Sequence, residues 1–199
     1  MSHARTRGFS LVELVVTVLV VAILTAVAWP NFRDFMHRNT VTAQANQVLA
    51  ALQYARNEAV SRRYPSALCG STDGVSCTAG DTSFENGWMI WRDSTLAGTP
   101  SYSSTKDELL RVNAAQTGVS IRSFGGSGTA NLIAFDQRGA VIGAGGAVTN
   151  IVVCAKNSSS DLLGANTQKV PGKYVRVDAS GRITVQNLAT TDQCDGAPS

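Results

Sequence analysis

The sequence predicts an α+β fold in which one long N-terminal helix packs against a mostly antiparallel β-sheet C-terminal domain. Three observations predict it. Residues 14–29 are apolar throughout except for Thr17 and Thr25, with no charge between Glu13 and Arg33. The helical period then continues in amphipathic form to about residue 63. Beyond Tyr64-Pro65 the texture changes to short β-prone runs separated by Gly, Ser, Asn and Asp.

The apolar run is driven out of water. Counted from Phe9 to Trp29, it has about the ~20 residues that a helix needs to cross a bilayer core, which suits a membrane helix or the core of a secretion signal. Glu13 discriminates between them, because a carboxylate inside a membrane helix costs about 2.5 to 3.5 kcal/mol and so requires a partner or a purpose. Ala26-Val27-Ala28 matches the A-x-A cleavage site of a conventional signal peptide. That reading leaves Glu13 unexplained and removes a segment whose helical pattern continues past Trp29. A plain single-pass anchor meets the same hydropathy.

The stretch Arg7-Gly8-Phe9-Ser10-Leu11-Val12-Glu13-Leu14 in front of this run resembles the class III signal of type IV prepilins and type II secretion pseudopilins. The resemblance implies that a prepilin peptidase cuts between Gly8 and Phe9 and methylates the new amino terminus on Phe9. It implies further that Glu13 pairs with a neighbouring subunit's N-terminal amine during assembly. A buried pair suits the physics, since two charges desolvated together cost less than one left alone. The chain then divides into a leader at residues 1–8, a transmembrane and filament-core half-helix at 9–30, and an exported pilin-like domain at 31–199. Arg5 and Arg7 hold the leader on the cytoplasmic side and send the rest outward. The expected location is the inner membrane, single-pass with a periplasmic domain, and after assembly the pilus fibre at the cell surface.

The 199 residues leave room for one globular domain beside that segment. The formal net charge is +3, of which Arg5 and Arg7 contribute two, leaving +1 on the mature side chains. A whole-molecule electrostatic grip on nucleic acid is therefore not indicated, and such a grip requires a local patch. All four cysteines, Cys69, Cys77, Cys154 and Cys194, lie in the exported part, where an oxidising compartment makes disulfides the expectation. Of the three pairings, the favoured one joins Cys69 to Cys77 around a short Gly/Ser/Asp-rich loop and Cys154 to Cys194 as a tether for the tail. A zinc site is not expected, because there is no C-x-x-C and because His3 and His37 fall in the leader and the helix.

In the outer half of the helix, Val41, Ala45, Val48, Leu52, Ala55 and Ala59 recur at alternating steps of four and three, the spacing of one buried face. Taken from residue 9 to 63 the helix would be about 80 Å long. Pro30 removes one backbone bond, so a kink or a locally melted segment is expected at 26–30. Tyr64-Pro65 ends the helix, because a residue before proline is pushed out of the α region. The candidate strands are 66–69, 88–92, 109–113, 119–124, 132–135, 151–155, 174–178 and 182–186. Asp136-Gln137-Arg138-Gly139 and Asp178-Ala179-Ser180-Gly181 are hairpin signals. Gly125-Gly126-Ser127-Gly128 and Gly143-Ala144-Gly145-Gly146 lack the lysine of a phosphate-binding loop and read as loops, as does the stretch around Asn157-Ser158-Ser159.

A catalytic constellation is missing from the sequence. With His3 in the leader, His37 is the one histidine left to the mature chain, and it is placed on the helix near the membrane surface rather than beside a nucleophile. H-E-x-x-H and G-x-S-x-G are both missing. No enzyme activity, cofactor or metal is expected.

Further pieces are similar to the FimU and FimT minor pilins and the related pseudopilin GspH. These are the helix stretches Asn39-Thr40-Val41-Thr42-Ala43-Gln44-Ala45-Asn46 and Leu52-Gln53-Tyr54-Ala55-Arg56-Asn57-Glu58-Ala59-Val60, then Leu68-Cys69-Gly70-Ser71-x-Asp73-Gly74-x-x-Cys77, Gly87-Trp88-x-x-Trp91-x-Asp93 and Ser180-Gly181-Arg182. Trp88 and Trp91 read as core or cross-strand packing. The resemblance implies a minor type IV pilin in a priming or tip complex, with other minor and major pilins as partners, serving assembly, adhesion or twitching. One alternative is DNA uptake, because some FimT-type pilins bind DNA through a C-terminal G-R-x-R element. Here that element reads Gly181-Arg182-Ile183-Thr184, so the second arginine is missing and Arg182 is left with Arg176, and with Lys173 nearby, as the candidate contacts. The other alternative is a minor pseudopilin of a type II secretion system.

Overall fold

A computed structural model of the chain describes residues 10–78, 80, 82–94, 101–125, 132–142 and 148–196. The elements in order are the helix α1 (Leu11–Arg62) and the strands β1 (Ser66–Gly70), β2 (Trp88–Arg92), β3 (Glu108–Asn113), β4 (Val119–Gly125), β5 (Leu132–Phe135), β6 (Thr149–Ala155), β7 (Lys173–Val177) and β8 (Ile183–Asn187). They fall into two compact units, Met1–Met36 and His37–Ser199.

Helix α1 is unbroken through Pro30. The locally melted segment expected at 26–30 is therefore not found: a proline deprives one carbonyl of its donor but keeps a helical φ, so the helix tolerates it at the loss of one bond. In the first unit the hydroxyls of Thr17 and Thr25 turn back on the helix. Thr17 Oγ1 donates to the Leu14 carbonyl at 2.9 Å, and Thr25 Oγ1 to those of Val21 and Ala22 at 2.9 and 3.0 Å. Both interruptions of the apolar run are thereby satisfied within it. The helix ends at Arg63, which adopts φ 58° in the left-handed region ahead of Pro65.

In the second unit the eight strands form two four-stranded sheets, ordered β3-β2-β1-β5 and β4-β6-β7-β8, and every pairing is antiparallel. The helix stripe Val41, Ala45, Val48, Leu52, Ala55 and Ala59 is 0–3% exposed. It packs with inward residues of both sheets, among them Leu68, Ile90, Ile133, Ile151 and Val175. Alanine at three of the six helix positions lets the backbone lie close to the sheets, and each larger aliphatic chain buried there contributes about 1.5–3 kcal/mol. Trp88 and Trp91 are 2% and 0% exposed. They divide between layers: Trp88 joins the helix-side core, and Trp91 faces the other side of its sheet with Met89 and Ala67.

Each sheet thus has a second apolar layer on the face away from the helix, and each layer contains a disulfide. Cys69 and Cys77 are bonded with a Cα–Cα distance of 5.7 Å, and Cys154 and Cys194 with one of 6.2 Å. The first holds residues 71–77 over the Trp91 layer. The second brings the tail onto Val152 and Leu188. The glycine-rich stretches at 126–128 and 143–146 lie outside the described residues.

Candidate functional site

The head of α1 is built from Ser10 and Glu13. The backbone N–H of Glu13 donates to Ser10 Oγ at 3.2 Å, and the N–H of Leu14 donates to the Ser10 carbonyl at 3.2 Å. Ser10 is therefore the N-cap, and Ser10-Leu11-Val12-Glu13 has the S-x-x-E spacing of a capping box. The N-cap was readable in the sequence, because that spacing directly precedes an apolar run. Glu13 stands in the first turn, where a carboxylate is favoured by the unsatisfied N–H groups at the helix start. Gly8 and Phe9, the expected cleavage and methylation residues, lie outside the described residues.

The large apolar side chains between Leu11 and Val27 are 47–80% exposed. The helix is long and apolar enough to cross a membrane. Among the described residues of the first unit nothing covers this surface.

The arginines proposed for DNA contact lie on and beside the last hairpin. Arg176 is on β7 between the buried Val175 and Val177, so it faces away from the helix. It is not a lone cation: Arg176 Nε pairs with Asp178 Oδ1 at 3.0 Å. Lys173 Nζ donates to Asn187 Oδ1 at 2.8 Å. Arg182 is exposed at the start of the return strand, and its carbonyl accepts from the Asp178 N–H at 3.0 Å.

The two Asp-x-x-Gly hairpins have the same internal bonds. Asp136 N–H donates to the Ala140 carbonyl and Asp178 N–H to that of Arg182, while Gly139 and Gly181 N–H donate back to Asp136 and Asp178. Gly139 and Gly181 have φ 81° and 78°, the left-handed position of a turn followed by a bulge. The hairpins also dock on each other, with Val141 N–H donating to the Ala179 carbonyl at 2.9 Å. Arg56 Nε on α1 donates to the Gly139 carbonyl at 3.0 Å. Arg56, Arg138 and Arg182 are thereby gathered around one corner, with the Arg138 side chain 90% exposed. Sequence reasoning missed Arg56 and Arg138; the repeated Asp-x-x-Gly pattern was the available signal.

Two carboxylates in these loops titrate low. Hydrogen bonds from the Ser76 hydroxyl and the backbone N–H groups of Val75 and Ser76 hold Asp73 well below the usual carboxylate range. For Asp136, burial pushes the carboxyl up, but the N–H groups of Ala140 and Arg138 and the Arg138 guanidinium outweigh it and lower the pKa. Glu85 is buried and bonded to Arg122 Nη2 at 2.8 Å and to the Ile121 N–H at 3.0 Å, which fastens the segment around it to β4. Among the described residues no three His, Cys, Asp or Glu side chains group as a metal site would require.

Two family descriptions match the chain: "Type II transport protein GspH" over residues 44–181 and "Prokaryotic N-terminal methylation motif" over residues 3–29. Two curated proteins, both named fimbrial protein and both from Pseudomonas aeruginosa, are 33% identical over 82 residues, 41% of this chain and 48% of theirs. The chain spans about half the length of these curated relatives. Among solved structures, the type IV minor pilin FimU of Pseudomonas aeruginosa superposes with a TM-score of 0.51 at 19% identity, over 81% of this chain and 98% of that one. The chain belongs to the GspH family, carries the prokaryotic N-terminal methylation motif at the start of its apolar helix, and has the fold of a type IV minor pilin.

Proposed function

We propose that this protein is a minor type IV pilin: an inner-membrane subunit with a periplasmic domain that joins a priming or tip complex and is incorporated into pili. One observation carries the reading. The apolar half of α1, 47–80% exposed along its large side chains, has no cover among the described residues of its own unit, while the stripe from Val41 to Ala59 is buried in the core of the other unit. Such a surface requires lipid before assembly and the same half-helix of neighbouring subunits after it. Glu13, one charge at the head of this surface, is the residue placed to meet a neighbour's amine, and Phe9 is the residue whose amine a prepilin peptidase would release. The partners are therefore other pilin subunits.

The test is mass spectrometry of the membrane-extracted protein together with the sheared surface fraction. The expected chain begins at methylated Phe9 and is recovered in sheared pili, and Glu13→Ala keeps it in the membrane but loses it from pili. A chain beginning at Trp29 would overturn the reading. So would full incorporation of the alanine variant, for Glu13.

A second reading, DNA contact, is favoured by the exposed Arg138 and Arg182 at the docked hairpins. The pairing of Arg176 with Asp178 weighs against the stripe Arg176–Arg182 and leaves this reading second. The family description favours a third reading, a pseudopilin of a type II secretion system; recovery of the chain in sheared pili decides against it.

A further inference from the structure

The two family descriptions stop at residue 29 and resume at residue 44, and the interval between them opens with an apolar surface of a different kind from the run before it. Residues 14–29 are apolar on every side of the helix, as a lipid-crossing segment is. From Trp29 onward only one side is. Trp29, Phe32, Phe35 and Met36 are 76%, 61%, 55% and 48% exposed. At 100° per residue these four fall within an arc of about 120°, the width of one amphipathic face. Asn31, Arg33 and Asp34 occupy the rest of the circumference. The Asn31 amide folds back on its own helix, Nδ2 donating to the Val27 carbonyl at 3.3 Å.

We propose that residues 29–36 are an interfacial anchor, with Trp29, Phe32, Phe35 and Met36 lying in the lipid headgroup layer on the periplasmic side. The proposal rests on the reading that the preceding run spans the membrane. Lengths support it. Leu11 to Trp29 rises about 27 Å, close to the ~30 Å of a hydrocarbon core, so Trp29 emerges at its far boundary. Phe32 and Phe35 stand about 5 and 9 Å further along the axis than Trp29, about 2 and 6 Å beyond a boundary ~30 Å from Leu11 and so within a headgroup layer of roughly 5–8 Å. Aromatic side chains are favoured at that depth. Arg33 and Arg38 against Asp34 give residues 31–38 a net charge of +1, which suits a layer of lipid phosphates.

The full chain carries its own reporter, because Trp88 and Trp91 are 2% and 0% exposed whereas Trp29 is open. The chain is reconstituted in phosphatidylcholine–phosphatidylglycerol vesicles whose acyl chains carry bromine either near the headgroup or near the chain end, and tryptophan quenching is read. Two further variants combine Trp29→Phe with Phe32→Trp or with Phe35→Trp. The expected result is quenching of all three reporters, stronger from the headgroup-proximal bromines than from the deep ones, with blue-shifted emission. If the reporters at 32 and 35 are quenched by aqueous iodide and by neither lipid while Trp29 is quenched by lipid, the anchor is overturned and the spanning helix stands. Stronger quenching by the deep bromines at 35 overturns it as well, by placing that turn in hydrocarbon. Loss of all lipid quenching at Trp29 removes the spanning reading, and the anchor with it.

Discussion

The carbonyl oxygen of Gly139 occupies the space into which a Cβ on Gly181 would project. Gly181 also has φ 78°, so two independent constraints exclude a side chain there. The glycine of the closing Ser180-Gly181-Arg182 stretch is thus explained by packing between two hairpins and α1, without reference to a ligand. Gly181→Ala is expected to destabilise the β-rich unit by about 2 kcal/mol or more, the left-handed backbone costing 1–2 of it. Arg182→Ala, next to it and exposed, should stay within about 0.5 kcal/mol of the parent. Urea unfolding of the two variants checks this.

The two disulfides should differ in worth because they close loops of different length, 8 and 40 residues apart in sequence. Loop-closure entropy assigns about 2.5 kcal/mol to the shorter and about 4 kcal/mol to the longer. Paired serine replacements at Cys69 and Cys77, and at Cys154 and Cys194, measured by denaturant unfolding, are expected to follow that order. The longer bond also tethers the tail, so its loss should expose residues 189–196 to proteases that leave the rest intact.

Acid should loosen the loop at Asp73 and the hairpin at Asp136. Both carboxyls titrate below their ordinary 3.8 in the folded chain, so each contributes stability that is fully present above that value and is lost as pH falls through the folded one. Asp73→Asn keeps one acceptor oxygen for the N–H groups of Val75 and Ser76 but loses the second, which receives the Ser76 hydroxyl. The variant should be less protected at neutral pH and show a flatter response below pH 3.8. Hydrogen exchange at Val75 and Ser76 across an acid series measures both effects.

The strands were legible because the chain marks them twice. Each of the eight falls within two residues of the run that predicts it, since β-prone segments here are short and bounded by Gly, Ser, Asn and Asp. The helix stripe was legible for a similar reason: Val41, Ala45, Val48, Leu52, Ala55 and Ala59 repeat at helical spacing and all are buried. The division into two sheets was not readable, because β5 pairs with β1 across more than sixty residues of chain and pattern alone carries no information on such partners. Nor was the Arg56–Gly139 bond, which joins residues 83 apart in sequence. Local periodicity names the faces, and long-range packing then decides which faces meet.

The last prediction separates the two arginine groupings. If the domain attracts DNA at all, the cations that reach phosphate should be those without a carboxylate in hydrogen-bonding contact or whose partner is easily exchanged. Arg176 is held by Asp178 at 3.0 Å with both side chains partly screened, 46% and 37% exposed, so the pair is already neutral and offers phosphate little net charge. Arg138 touches Asp136 only at 3.3 Å and is 90% exposed, and Arg182 is exposed beside it on the docked turn. With a formal net charge of only +3, two of it on Arg5 and Arg7, binding of duplex DNA at physiological salt is expected to be undetectable, with weak association at low salt. The low-salt association should be lost in Arg138→Ala with Arg182→Ala, flattening the salt slope by roughly two units, and should survive Arg176→Ala. Anisotropy of labelled duplex across a salt series makes the measurement. Micromolar binding at physiological salt that depends on Arg176 would reverse the ranking of the two arginine groups and bring DNA uptake ahead of the pilus-subunit reading.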